Sequence, residues 1–167
     1  MQKLLVSLVI VLFITSCTNK KSTPFQVTSD IKNLIAGDSV KTWKLAKRYN
    51  GKTRMNMGDC FLHYRQSFYS NGTVTDNNAQ HPSCGPSLSG TWSIIKDSLG
   101  YTHIRITSVK LKELLHIDED YKDFRIFYAS KDSLHLSFTH KQFGEKRRIS
   151  DYLVSEELSI PDRKFHH

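Results

Sequence analysis

From Val40 onward the chain keeps returning to one arrangement: a short run in which apolar and polar residues alternate, followed by a cluster of Gly, Asn, Asp, Ser or Lys. Alternation at period two puts one set of side chains on each face of a strand. In Tyr101 to Val109, Ile104 and Ile106 share one face and His103 and Arg105 the other. In Asp123 to Ala129, Phe124, Ile126 and Tyr128 share a face; past the turn at Ser130-Lys131-Asp132-Ser133, so do Leu134, Leu136 and Phe138. Val40 to Ala46, Phe61 to Tyr69, Thr73 to Thr75, Gly90 to Ile95 and Arg147 to Val154 complete the set of expected strands. Between two of them lies Asn71-Gly72, the strongest short-range hairpin signal. No strand–helix–strand alternation is present, which disfavours a parallel sheet. Seven or eight such strands make an antiparallel sandwich or an up-and-down barrel, and a barrel removes the exposed edges that a sandwich must defend.

The departures from period two are few. Ile31, Leu34 and Ile35 recur at helical spacing, with Ser29 or Asp30 to cap and Gly37 to stop, so a short helix is expected ahead of the first strand. Tyr49 to Gly58 and Asp76 to Leu88 read as loops. Leu111 to Asp120 fits either a helical turn or a strand end and loop.

The N-terminus carries an address. Lys3 precedes an apolar run, Leu4 to Ile14, broken only by Ser7 and followed by Thr15-Ser16-Cys17. This is the tripartite order of a secretory signal, and the run is shorter than the roughly 20 residues that span a bilayer. Ile14-Thr15-Ser16-Cys17 resembles the bacterial lipobox, which implies lipidation of Cys17 and cleavage before it. The division expected is a signal peptide at 1–16, a lipidated tether at 17–29, one domain at 30–157 and a tail at 158–167. By the habit of lipoproteins, Thr18 in place of an acidic residue implies the outer membrane, with the domain facing the periplasm.

The formal net charge is +8, but Lys and Arg are interleaved with Asp and Glu, so no nucleic acid is expected as partner. With Cys17 assigned to lipid, Cys60 and Cys84 remain as a pair in an oxidising compartment, and a disulfide is the expectation ahead of a metal site. His63 and His81 lack zinc-finger spacing, and Asp118, Glu119, Asp120 and Asp123 lack the glycine and spacing of a calcium loop. Neither a metal nor another cofactor is expected. No motif of a nucleophile elbow, a zinc protease or a phosphate loop is present in the sequence, and no catalytic residue is assigned.

A family resemblance accompanies these readings. Lys41-Thr42-Trp43-Lys44-Leu45 after a short helix, Asp59-Cys60, Phe68-Tyr69-Ser70-Asn71-Gly72, a looped Cys84 and Gly90-Thr91-Trp92-Ser93-Ile94 occur in that order. The chain thereby resembles the lipocalin-like lipoproteins of the Bacteroidota. The resemblance implies an all-β, antiparallel lipocalin-like barrel of about eight strands with a short N-terminal helix, and a binding or structural role in place of catalysis. Tyr64, Phe68, Ile104, Ile106, Phe124, Ile126, Tyr128, Leu136 and Phe138 are the residues expected to line the interior, as a packed core, as the wall of a site for a small apolar or amphipathic molecule, or as both. Trp43 and Trp92 are expected to close one end. Two functions stay open: a binding module, and a structural module that docks on an envelope protein.

Overall fold

The structure, a computed structural model, describes Phe25, residues 28–142 and 145–161, and Arg163. The signal segment, Cys17 and most of the tether lie outside the described residues, as do 162 and 164–167 of the tail.

Eight antiparallel strands close on themselves. They are β1 (Val40–Asn50), β3 (Arg65–Tyr69), β4 (Thr73–Asp76), β5 (Ser89–Lys96), β6 (Thr102–Thr107), β7 (Tyr121–Ala129), β8 (Ser133–Gln142) and β9 (Glu145–Ser155). Each pairs with the next, β1 pairs with β3, and β9 returns to β1 to shut the ring. A two-residue strand, β2 (Thr53–Arg54), folds back on the end of β1. The described residues add three short α-helices, α1 (Ile31–Ala36), α2 (Asp59–His63) and α3 (Leu111–Leu115), and a 3-10 turn at Asn78–Gln80. Hence the barrel is the expected one, with every main edge paired.

The α1 end is closed. Trp43, Leu45, Phe68, Val74, Ile104, Ile106, Ile126 and Leu134 are all at most 1% exposed and form one cluster with Trp92, Leu136 and Leu153. Ile31, Ile35 and Ala36 of α1 join that cluster. The Trp43 indole N–H donates to the Ile35 carbonyl at 2.8 Å, and Lys41 Nζ donates to the Leu34 carbonyl at 2.9 Å while lying over the Trp43 ring. Two orphan carbonyls in the last turn of α1 are satisfied by the barrel it covers. The Trp92 indole donates to the Tyr69 carbonyl at 3.0 Å and its ring meets Phe68 edge-on. Both tryptophans support the closed half, as expected.

Several boundaries differ from the sequence reading. Phe61 to Tyr69 was expected to be wholly extended, but Asp59–His63 is helical, with the Phe61 and Leu62 amides donating to the Gly58 carbonyl. The apolar side chains of that turn pack against the core without joining the sheet. β1 runs on to Asn50 because its far half pairs with β9, where Tyr49 and Tyr152 meet edge-on. Leu111–Leu115 resolves as a helix that buries Leu111. The hairpin at Asn71-Gly72 closes with a three-residue loop, 70–72, between the end of β3 at Tyr69 and the start of β4 at Thr73. Gly72 takes the left-handed position at φ +88°, as such loops require.

Candidate functional site

The opposite end, where α2, α3 and the Asp76 to Leu88 loop lie, is built differently. Registers fix which side chains point inward. Lys122 opposes Ile106 and Phe124 opposes Ile104, both partners belonging to the core. Phe138 and His140 continue the inward row of Leu134 and Leu136. After a bulge between Leu45 and Lys47, Arg48 opposes Asp151, which is inward with Leu153. The same interior that is apolar at the α1 end therefore ends in aromatic and charged groups.

Arg48 and Asp151 form a two-pronged ion pair, both N···O distances 2.6 Å. Burial opposes the guanidinium charge, but the hydrogen bonds and the charge of Asp151 outweigh it, and the Arg48 pKa is raised. The guanidinium lies 4.6 Å from the Phe61 ring centre, so α2 stacks on the pair. The Tyr64 phenol stands in the same charged surroundings. Burial and the negative charge of Asp76 push its pKa up, against the pull of Arg48. Gln66 is buried one step deeper on β3.

Across the mouth, Phe124 and Phe138 meet edge-on with ring centres 5.0 Å apart. Lys122 Nζ is 5.9 Å from the Phe138 ring centre and donates to the Thr139 carbonyl. Burial lowers the Lys122 pKa against the pull of Glu119 and Asp123. Burial lowers that of His140 too, reinforced by the positive charges of Lys122 and Arg48. At neutral pH His140 is therefore an uncharged imidazole between two cations.

The wall is incomplete beside these groups. The β7–β8 pairing ends at Arg125 and Ser137, whereas β8 stays paired with β9 out to Gln142 and Glu145. The two strands part between Tyr121–Phe124 and Phe138–Gln142, and a recess of about 280 Å³ opens there, lined by Ile117, Glu119, Tyr121, Lys122, Asp123 and Thr139. On the far rim, Cys60 of α2 and Cys84 of the long loop are joined in a disulfide, the pairing expected from the sequence. Asp76 fixes the same loop by accepting from the Asn78 and Leu88 amides, both at 3.1 Å. His63 and His81 stack beside the disulfide at 4.7 Å, above a groove of about 580 Å³. Among the described residues, no cluster of three metal-ligating side chains exists.

The nine residues expected to line the interior divide three ways. Phe68, Ile104, Ile106, Ile126 and Leu136 belong to the closed core. Tyr64, Phe124 and Phe138 stand at the mouth, and Arg48, Asp151, Lys122 and His140, which the sequence reading left out, stand with them. Tyr128 is corrected to the outer face, 51% exposed. A register shift between Ile126 and Tyr128 adds a residue to β7, so the inward row skips from Ile126 to Ala129. The signal for the missed residues was present: Lys122 lies two positions before Phe124, and His140 two after Phe138, on faces otherwise apolar.

The lipocalin-like domain family matches residues 40–136, more than half of the chain and the whole run of strands from β1 into β8. The chain belongs to the lipocalin-like family. Among solved structures it is similar to a lipocalin-like protein from Bacteroides uniformis, at 14% identity and a TM-score of 0.44, with 68% of this chain and 94% of that one covered. A search of the curated proteins finds no match. The family fixes the architecture, and a fold does not by itself fix a function.

Proposed function

We propose that this lipocalin-like protein is a non-catalytic lipoprotein, anchored to the outer membrane through Cys17, that binds a small apolar or amphipathic molecule at the barrel mouth. The observation that carries this reading is the contrast between the two ends. One half of the interior is filled by its own side chains, and the other sets the Phe124–Phe138 pair beside Lys122, His140 and the Arg48–Asp151 pair. Apolar ring surface beside placed polar groups is a combination found in small-molecule sites. In this reading the domain faces the periplasm. The packed half favours a second reading, a structural module that docks on an envelope protein.

Native mass spectrometry of the protein recovered from its own envelope tests the first reading. A bound small molecule is expected, and Phe124→Ala is expected to weaken its retention while Arg105→Ala, on the outer face, does not. An empty barrel in both wild type and variant would return the structural reading. The anchor is tested separately: a fatty-acid analogue fed to cells should label the wild type and not Cys17→Ala, and an unlabelled wild type overturns it.

A further inference from the structure

We propose that the mouth selects amphiphiles with an anionic head, carboxylate or phosphate, held at Lys122 and the cationic rim of the β8–β9 hairpin while the chain lies against Phe124 and Phe138. This rests on the reading that the mouth takes a ligand, and it names the class. Because β8 outruns its pairing with β7, the β8–β9 hairpin stands clear of β7 beside the recess. Its inward side presents His140 opposite Arg147, and its outward side exposes Lys141, Lys146 and Arg148. The β1–β2 turn adjoins it, with Asn50 opposite Ile149 and the Gly51 amide donating to the Arg148 carbonyl at 2.8 Å, which adds exposed Lys52 to the rim.

The carboxylates nearest these cations are largely committed. Asp151 holds Arg48, Glu145 pairs with Arg147, and Asp123 holds Arg105 outside the barrel at 2.7 and 2.8 Å. Glu119 lies on the recess wall and acts on Lys122 only at a distance. Among the described residues Lys122 forms no ion pair; its ammonium donates to the neutral Thr139 carbonyl. An anionic oxygen is a stronger acceptor than that carbonyl, and charge-assisted bonds are about twice as strong as neutral ones. An incoming head at Lys122 would sit next to apolar ring surface already in place for a chain.

His140 gives the site a pH signature. It is faced by Lys122 of β7 and Arg48 of β1, with Arg147 opposite it on β9. Its free pKa lies below the ordinary 6.5, and a bound anion would raise it. Binding then takes up a proton, so affinity rises as pH falls through the pKa of the complex and levels off below that of the free protein.

Calorimetric titration of the purified protein with decyl phosphate, decanol, decyltrimethylammonium and inorganic phosphate, each below any micelle threshold, separates the terms. Decyl phosphate is expected to bind about tenfold or more tightly than decanol, with the cation weaker still and inorganic phosphate weakest. Lys122→Gln should cost decyl phosphate about tenfold and leave decanol unchanged, and Lys122→Arg should restore most of the loss. Decanesulfonate, whose head does not titrate, should bind more tightly at pH 5.5 than at pH 8, and His140→Gln should flatten that slope. Equal binding of decanol and decyl phosphate, or an unaffected Lys122→Gln of native circular dichroism, overturns the head-group assignment and leaves the mouth as a site. Inorganic phosphate binding as tightly as decyl phosphate overturns the amphiphile. Failure of all three amphiphiles overturns the ligand-binding reading itself.

Discussion

Arg48 and Asp151 lie on the inward side of the barrel wall, and their side chains are only 20% and 11% exposed. An enclosed ion pair contributes less to stability than it costs to break, because the charge left behind has lost its water without a partner. Asp151→Ala is therefore expected to destabilise the protein by about 3 kcal/mol, and the double change Arg48→Met with Asp151→Leu by much less. Urea melts of the three proteins decide this; a double variant as weak as the single one would mean the pair itself holds the barrel. Asp76 behaves in the opposite sense. Burial raises its pKa, although the Asn78 and Leu88 amides pull the other way. A carboxyl group whose folded pKa is raised costs stability above that pKa, and the cost disappears once both states are protonated. Asp76→Asn keeps an accepting oxygen for both amides and removes the charge, so its melting temperature should exceed that of wild type at pH 7. The difference should vanish below about pH 4; a gap that persists there would refute the assignment.

At the scale of elements, β5 and β6 meet closely where Gly90 passes the end of β6. A methyl at Gly90 would lie 2.2 Å from the Thr107 carbonyl oxygen and 2.9 Å from Ser108 Cβ, in a stretch whose backbone is held by the Ser108 hydroxyl on the Ser89 carbonyl at 2.6 Å. Gly90→Ala should cost about 1–3 kcal/mol as an overpacked contact, whereas Gly58→Ala, with open space around it, should be close to neutral. Equal melting temperatures for the two variants would show that β6 yields. The Gly-Thr-Trp at 90–92 thus has a steric reason for its first residue. Much of the barrel was legible in this way: alternation marked each strand, Asn71-Gly72 marked a hairpin, and Ile31, Leu34 and Ile35 marked the covering helix. Less legible was anything set by partners distant in sequence. The helical turn at Asp59–His63 depends on packing under the mouth. Tyr128 obeyed the alternation of its strand, and only the register with β8 placed it outside. Lys122 and His140 obeyed it too, but a polar residue on an apolar face reads as an exception until the end of the barrel it occupies is known.

For the molecule as a whole, the decisive feature is that its two ends are held by different forces. At the α1 end, Trp43, Leu45 and Phe68 are essentially unexposed, and a helix is hydrogen-bonded across them. At the mouth, the covering segments bury Met57, Leu88 and Leu111 in the core and are tied down further by the Cys60–Cys84 bond and by the Asp76 carboxylate, which accepts from the Leu88 amide. Proteins open locally in cooperative units, and binding loops are drawn from the less stable ones. The disulfide spans 24 residues, including β3 and β4, and on the chain-entropy account a loop of that size contributes about 3 kcal/mol. Its reduction should be felt unequally. Amide exchange in a reducing buffer is expected to quicken at residues 59–63 and 77–88, and at those alternate amides of 139–142 that face the parted β7. The amides of Trp43, Leu45, Ile104 and Leu136 should exchange at their oxidised rates. Acceleration spread evenly over both sets would mean that the barrel opens as one unit and that the mouth has no independent freedom with which to admit a ligand.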